Sequence, residues 1–261
     1  MCIRDRLSTV PSDRTRRKGR ALPSREQRSS IEPESAEPES AEGRRYGGAE
    51  ADERRARRRR AFIDAGLQLF GELGYPAVTV KRLCDEAGLT QRYFYESFAD
   101  RPALLIAVYE HCVEVTRTAT VGAAAEYLLD PAGVAPDAVH AAARDTLGAF
   151  LATLTGDPRR ARVMLVEVVG VDPTVESTRL RAIHNWASLI LALAMGEREV
   201  SPAQHLAAVG LVGAVTQLLV DWYFTNVAPD PVDIGAEPTD LDVMLDVCVD
   251  MFGATYDQLM R

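Results

Sequence analysis

Cysteine and histidine are scarce in this chain, and their spacing argues against small metal and disulfide frameworks. The 261 residues include four of each. No two cysteines lie two to four residues apart, which argues against a zinc site or a disulfide scaffold and fits a reducing cytoplasm. The histidines show no i, i+4 ligand spacing, so we predict no bound metal. The cysteines are Cys2, Cys84, Cys112 and Cys248, and the histidines are His111, His140, His184 and His205.

Long apolar runs are also missing. The most apolar stretch, AAVGLVGAVTQLLV, is interrupted by Thr216 and Gln217, and it is shorter than the roughly 18 residues that a membrane span needs. The first 60 residues lack the apolar core of a secretory signal. We therefore expect a cytoplasmic protein with no membrane partner. Its 47% of hydrophobic residues suffices for one large domain or two smaller ones.

Motifs of the common enzyme classes are absent as well. The sequence contains no glycine-rich phosphate loop, no nucleophile elbow and no zinc signature. No pair of carboxylates stands at a spacing typical of acid–base catalysis. We therefore predict no catalytic residues, no cofactor and no enzymatic activity.

Lysine is the rarest charged residue, with two lysines against 28 arginines, which indicates a GC-rich genome. The opening MCIRDR would need AT-rich codons, and this string resembles the end of a transposase sequencing adaptor. We therefore expect residues 1–6 to be assembly read-through. No other methionine precedes Met164, so the true start would be a non-methionine codon or would lie upstream.

Charge is distributed unevenly, and its distribution predicts three regions. Residues 1–50 contain a tandem EPESA and few apolar side chains, so we expect disorder there. Residues 54–101 carry ten basic and six acidic side chains, whereas residues 102–261 carry nine and twenty-one. A basic module at 51–100 thus precedes an acidic body at 101–261. Nucleic acid is a plausible partner for the basic module alone.

Apolar residues after position 53 recur three and four apart, which predicts an all-α fold of about nine helices. The segment RRAFIDAGLQLFGELGY predicts a first helix that ends at Gly74. Thr79 and Gly88 bracket a helix of about eight residues. Thr90 begins a very short helix, and Asp100 begins a long one. Two short helices joined by a glycine turn are typical of a helix-turn-helix.

Residues 58–105 resemble the TetR (tetracycline-repressor-like) family of bacterial regulators. The resemblance implies an all-α homodimer with two parts in each protomer. The first is an N-terminal three-helix, helix-turn-helix DNA-binding domain, and the second is a C-terminal helical domain for effector binding and dimerisation. The matching residues are the run FIDAGLQLF from Phe62, Gly74-Tyr75, Thr79-Val80, AGLT from Ala87, Phe94-Tyr95, Phe98 and Leu104-Leu105.

The resemblance implies that the short third helix lies in the major groove of double-stranded DNA. Phe94 and Phe98 would then face the domain core. Tyr95 would contact a phosphate through its hydroxyl, and Tyr93 would pack its ring on a thymine methyl. The alternative is that all four aromatic residues belong to the core. The DNA-binding residues implied in this way are Arg58, Thr79, Lys81, Thr90, Gln91, Arg92, Tyr93, Tyr95 and Arg101.

Two basic features leave alternatives open. Arg92 stands where the family commonly has glycine, and it would either read guanine with two hydrogen bonds or clamp a phosphate. The arginine-rich run at 54–60 is either a basic arm that reaches the minor groove or flanking phosphates, or the solvated start of the first helix.

The acidic body is expected to enclose a mostly apolar effector pocket among helices four to eight. Apolar helix faces would form its walls, and polar residues inside apolar stretches are candidate ligand anchors. For each of these polar residues, pairing with another protein group is the alternative. The candidate effector-binding residues are His111, Met164, Glu167, His184, Trp186, Gln217 and Asp221.

The last two helices are predicted to form the dimer interface, as a four-helix bundle with isologous contacts. Glycines on the eighth helix permit close approach, and apolar residues of the ninth recur at three-four spacing. The predicted interface residues are Gly210, Gly213, Leu241, Met244, Leu245, Cys248 and Phe252.

These features predict a ligand-responsive regulator, most simply a repressor, that binds an inverted-repeat operator as a homodimer. A small, mostly apolar effector would favour a conformation in which the two recognition helices have the wrong spacing. The fourth helix would transmit this change, because it joins the pocket to the DNA-binding domain. The main alternative is an all-α lipid- or drug-binding protein without a DNA function.

Overall fold

The computed structural model describes residues 41–127, 134–135, 137–229 and 235–260. Within these ranges the chain forms nine α-helices and no strand, which confirms the predicted all-α class. A 3₁₀ turn (Tyr75–Ala77) follows α1, and π turns follow α6 (Val163–Glu167) and α9 (Tyr256–Met260). The helices are α1 (Ala41–Leu73), α2 (Val80–Ala87), α3 (Gln91–Ser97), α4 (Arg101–Ala123), α5 (Val139–Thr155), α6 (Pro158–Arg162), α7 (Pro173–Met195), α8 (Pro202–Asn226) and α9 (Leu241–Thr255).

Helix α1 begins at Ala41, well before the predicted start near residue 58. The structure therefore differs from the predicted disorder for residues 41–50, whereas residues 1–40, with MCIRDR and Cys2, lie outside the described ranges. The polar first half of α1 contains ion pairs between residues that lie one helical turn apart. Arg54 lies 3.5 Å from Glu50, and Arg55 lies 3.1 Å from Asp52. Such pairs support a helix that has no apolar face of its own.

Side-chain caps begin most of the predicted helices. Thr79 Oγ1 accepts a hydrogen bond from the Arg82 amide at 3.2 Å, and Asp100 Oδ1 accepts one from the Ala103 amide at 2.8 Å. Ser201 and Gln204 form a reciprocal capping box at the start of α8. Thr90 occupies the N-cap position of α3, but its side chain makes no capping hydrogen bond there.

A short α-helix and a π turn follow α5. Within the apolar segment ARVMLVEVVG, α6 ends at Arg162 and the chain continues as the π turn. A π turn rotates the following side chains relative to an α-helix, and such turns are frequent at functional sites. Here it directs Met164, Leu165 and Val166 to one side and buries Glu167 on another.

The first four helices share one hydrophobic core with the body. Phe62, Phe70 and Phe94 are fully buried in it, and Val163 and Val168, from the π turn and the residue after it, pack into the same cluster. A second cluster lies among α5, α8 and α9. The helix-turn-helix is therefore held against the body by continuous apolar packing.

Helix α8 carries more apolar surface than its protomer covers. By length and composition alone it is the one helix in the described ranges that could cross a membrane, yet only 22% of its most apolar window is buried within the protein. Leu206 is 70% exposed on it, and Val243 and Val247 are exposed on the neighbouring α9. Exposed apolar surface on this scale is typical of an interaction site.

Candidate nucleic-acid interface and effector cavity

The turn between α2 and α3 has the geometry that the glycine signal predicted. Gly88 adopts a left-handed conformation (φ +63°), and its amide is bonded to the Asp85 carbonyl at 3.3 Å. The Leu89 amide then donates to the Cys84 carbonyl at 3.0 Å. A residue with a Cβ adopts this backbone conformation only with strain.

The aromatic residues of α3 are divided between the core and the surface, as predicted. Phe94 is fully buried and Phe98 is 4% exposed. Both rings meet Phe62 edge to face, with centroid distances of 5.4 Å and 6.4 Å. Tyr95 is 60% exposed. The alternative that all four rings are core is therefore wrong.

Tyr93 differs from a freely exposed base-contacting side chain. Its ring is half-buried and packs at the edge of the core. The Arg58 guanidinium carbon lies 4.5 Å from the ring centroid. Arg58 is thus already engaged with α3, and residues 54–60 form part of α1. The run is therefore helical, as its second alternative predicted, and its contact with the minor groove or with flanking phosphates stays a prediction.

Five of the other predicted DNA contacts are exposed side chains at α2 and α3. Thr79, Lys81, Thr90, Gln91 and Arg92 are all exposed. Two of the cations have partners within their own helices: Lys81 Nζ lies 2.7 Å from Asp85, and Arg92 Nε lies 2.9 Å from Glu96. The hydrogen bond to Glu96 also raises the pKa of Arg92. Neither pair is buried, so both are exchangeable for phosphate contacts.

Arg101 has a structural role that the sequence did not predict. Its guanidinium donates to the carbonyls of Tyr75 (3.3 Å) and Val78 and stacks 4.8 Å from the Tyr75 ring centroid. These hydrogen bonds give partners to two backbone carbonyls at the 3₁₀ turn that precedes α2. The side chain therefore stabilises the entry to the helix-turn-helix, and its contact with a DNA phosphate stays a prediction.

Glu167 is also not a cavity residue, because it joins the body to the DNA-binding domain. Its carboxylate accepts a hydrogen bond from the Tyr75 amide at 2.6 Å and lies 2.7 Å from Arg162 Nε. Arg162 also donates to the Glu72 carbonyl at 3.0 Å. The end of α1 is thus tied to the π turn by a buried charge pair.

Close helix packing reinforces this connection. A Cβ placed on Gly71 of α1 would lie 2.7 Å from the Arg159 Cα atom of α6. Only a glycine allows the two backbones to approach so closely at this point. Arg159 also hydrogen-bonds Gln68 of α1. Helix α6 and the π turn therefore contact α1 along its last two turns.

A cavity of about 530 Å³ lies within the body, between α4, the π turn and α5 to α9. Of the predicted effector residues, Met164, Trp186 and Gln217 line it. Trp186 meets Phe150 edge to face at 5.1 Å. The predicted pocket lay among helices four to eight, but no lining residue of α5 was predicted, because the apolar spacing of α5 is the same as that of a plain core helix. The α5 lining residues are Val139, Ala142, Ala143, Thr146, Leu147, Phe150 and Leu154.

The remaining predicted effector residues lie elsewhere. His111 lies on α4 outside the cavity lining, and burial and nearby Arg60 lower its pKa. His184 stacks on His205 at 5.7 Å and lines a separate groove between α4 and α7. Asp221 accepts a hydrogen bond from Gln217 at 2.8 Å and does not line the cavity.

The predicted dimer residues divide into two groups. Gly210 and Gly213 are exposed on α8, as an interface requires. Met244 and Cys248 are buried inside their own protomer, which makes them unavailable to a partner. Leu241, Leu245 and Phe252 are half-buried against the same core. The prediction for α9 is therefore corrected: its exposed apolar face is formed by Val243 and Val247.

Comparisons with known proteins agree with this geometry. Residues 62–108 match the family model described as bacterial regulatory proteins, tetR family. The fold is similar to the fatty acid degradation regulator FadR from Bacillus halodurans (TM-score 0.57, 15% identity, 75% of this chain and 94% of that one). It is also similar to the transcriptional regulator FadR from Bacillus subtilis in complex with stearoyl-CoA (TM-score 0.54, 15% identity, 74% and 97%).

No curated protein sequence is significantly similar to the chain. At 15% identity the two solved structures support the fold alone. The family match covers the helix-turn-helix and the start of α4, and the capped helices, the glycine turn and the buried α3 aromatics agree with it. The helix-turn-helix segment at residues 62–108 therefore belongs to the family of bacterial regulatory proteins described as tetR.

Proposed function

We propose that the protein is a repressor that binds an inverted-repeat DNA operator as a homodimer and releases it when a small, mostly apolar ligand binds. The observation that carries this proposal is the arrangement of α3. Its Phe94 and Phe98 side chains fix it on the core, and Gln91, Arg92 and Tyr95 remain exposed. A short helix presented in this way fits the major groove.

The exposed groups around α3 offer both kinds of DNA contact. Gln91 and Arg92 are suited to base edges, and the Tyr95 hydroxyl is suited to a phosphate. Thr90 keeps a free side chain at the start of α3. The Thr79 hydroxyl accepts from the Arg82 amide and still has its own hydrogen to donate. Lys81 adds a positive charge beside them.

Replacing Glu96 with glutamine is expected to strengthen DNA binding. The change removes a carboxylate from the DNA-facing surface and frees Arg92 from its ion pair. One additional cation–phosphate contact makes the slope of log K against the logarithm of the salt concentration steeper by about one. Fluorescence anisotropy at several salt concentrations measures this slope. Glu86→Gln removes an exposed α2 carboxylate with no α3 partner; equal slopes for both variants would contradict the expected release of Arg92.

The homodimer is proposed from the uncovered surface of α8 and α9. Leu206, Gly210 and Gly213 lie along one exposed face of α8, and Val243 and Val247 lie on the exposed face of α9. Two such pairs related by a twofold axis would cover one another in a four-helix bundle. The dimer would place two α3 helices about one DNA turn (~34 Å) apart.

The ligand class follows from the cavity lining. Most lining side chains are aliphatic or aromatic, and the polar ones are mainly threonine, tyrosine and glutamine. Among the described lining residues Arg179 alone is charged, and Glu176 neutralises it at 2.6 Å. This favours an uncharged ligand. The B. subtilis FadR structure, in complex with stearoyl-CoA, supports ligand binding by a similar fold.

Two connections would couple the cavity to the DNA-binding domain. The π turn exposes Met164 to the cavity and ties Glu167 to Tyr75. Helix α4 places Tyr109 at the cavity wall and Leu104 in the domain core. A ligand that moves either element would weaken DNA binding, and DNA would weaken ligand binding by the same factor.

Selection of duplexes from a random pool by the purified full chain tests the proposal. We expect enrichment of an inverted repeat whose half-sites lie about one turn apart. A thermal-shift screen with uncharged apolar compounds should then identify ligands that stabilise the protein and lower its affinity for the enriched duplex. Ligand binding without any enriched sequence would contradict the regulator and support the carrier alternative.

A further inference from the structure

Two consecutive arginines of α1 contact aromatic rings at the two ends of the recognition helix. The Arg58 guanidinium lies over the Tyr93 ring, with 4.5 Å between its carbon and the ring centroid. The Arg59 guanidinium lies 4.3 Å from the Phe98 ring centroid and donates to the Ser97 carbonyl at 2.9 Å. These contacts engage α3 near its beginning and at its end.

The other arginines of the run point away from α3. Arg54, Arg55 and Arg60 form exposed ion pairs with acidic residues of their own helix, at 3.5, 3.1 and 3.7 Å. Arg57 is exposed as well. The arginine-rich run therefore contains two different groups of side chains, although its sequence is nearly uniform.

Helix α3 needs this external support. It has only seven residues, and a helix of that length is not stable by itself in water. Phe94 and Phe98 hold its inner face. Arg59 satisfies the Ser97 carbonyl at its C-terminal end, where backbone acceptors have no helical partner and a cation is favourable.

Arg58 contacts Tyr93, the residue expected to pack its ring on a thymine methyl. Its Nε atom is buried and has no hydrogen-bond partner, so the cation is partly desolvated where it meets the Tyr93 ring. A cation stacked on an aromatic face is attracted more strongly when water is excluded. The planar guanidinium thereby restricts the orientation of Tyr93, which a flexible lysine ammonium does not do equally well.

We propose that Arg58 and Arg59 are positioning residues that determine the sequence specificity of α3, whereas Arg54, Arg55, Arg57 and Arg60 contribute non-specific attraction to DNA. Arg58 acts through the Tyr93 ring, and Arg59 acts through the end of α3. This inference rests on the proposed DNA-binding function. Both residues precede the segment 62–108 that matches the family model.

Lysine substitutions separate positioning from charge. Arg58→Lys and Arg59→Lys keep the positive charge and remove the planar contact, and Arg57→Lys is the matched control on the same helix turn. The full chain of each variant is titrated with the duplex enriched by the wild type and with a scrambled duplex. We expect Arg58→Lys and Arg59→Lys to lower the ratio of enriched-duplex affinity to scrambled-duplex affinity about tenfold. The affinity for the scrambled duplex and the salt dependence of binding should not change. A ratio equal to that of Arg57→Lys would overturn the inference.

A measurement without DNA tests the same positioning. Hydrogen–deuterium exchange of residues 91–98 is expected to be faster in Arg58→Lys and Arg59→Lys than in Arg57→Lys, because α3 loses its contacts with the arginines of α1. Unchanged exchange in both variants would also overturn the inference. If the wild type enriches no duplex, the proposed function fails, and the exchange rates alone then decide whether the two arginines hold α3.

Discussion

Replacing Phe94 with alanine is expected to abolish sequence-specific DNA binding and to destabilise the protein by about 3–5 kcal/mol. Phe94 is fully buried and meets the Phe62, Phe98 and Tyr95 rings. Its removal leaves a cavity beneath a helix that has few other contacts. Urea unfolding gives the loss of stability, and titration with the enriched duplex gives the loss of affinity.

Tyr95→Phe provides the matched control in the same helix. The Tyr95 side chain is 60% exposed, so removal of its hydroxyl should change stability by less than about 0.5 kcal/mol. Loss of a hydrogen bond to a charged phosphate should still lower DNA affinity, by about tenfold or more. If Phe94→Ala were no more destabilising than Tyr95→Phe, the assignment of Phe94 to the supporting core would be wrong.

Replacing Glu167 with alanine is expected to cost about 3–5 kcal/mol and to weaken the coupling between ligand and DNA. Glu167 is 8% exposed and its partner Arg162 is 20% exposed, so the pair is largely shielded from water. Removing one member of a buried ion pair leaves the other charge uncompensated. It also leaves the Tyr75 amide without its acceptor. Denaturant unfolding and the ligand-induced change in DNA affinity are the two measurements.

Glu176→Ala is the control for this substitution. Glu176 forms a comparably short ion pair with Arg179, but its side chain is 37% exposed, and solvent screens such a pair, so its loss should cost much less stability than the loss of Glu167. Glu167→Gln is a second variant for the case that alanine prevents folding, since an amide oxygen still accepts from Tyr75. Equal costs for Glu167→Ala and Glu176→Ala would show that the link to the π turn is not a stabilising contact.

Helix boundaries and the helix-turn-helix followed from local signals. Thr79, Gly88 and Asp100 act on backbone groups within a few residues along the chain, so their positions correctly predicted the start and end of α2 and the start of α4. The division of the α3 aromatics was also predictable, because a two-turn helix has only one buried face. The start of α1 was missed because charged pairs, rather than an apolar stripe, accompany its first half.

The partner of each polar side chain was decided by tertiary structure. Glu167 and Tyr75 are 92 residues apart in sequence, and Arg101 reaches back to Val78. No local pattern distinguishes such a paired residue from one that awaits a ligand. The three corrected effector candidates besides Glu167 (His111, His184 and Asp221) failed for the same reason: a polar residue in an apolar stretch does not reveal which helix packs against it.

The sequence by itself determined which faces of the helices are apolar, where most of the helices begin and end, and which module is basic. Tertiary structure alone decided what covers each apolar face. Met244 and Cys248 pack inside their own protomer, whereas Val243 and Val247 remain exposed on the same helix. The hydrophobic effect is non-directional, so an apolar stripe requires burial but does not specify its neighbour. Only the three-dimensional arrangement of the helices makes that choice.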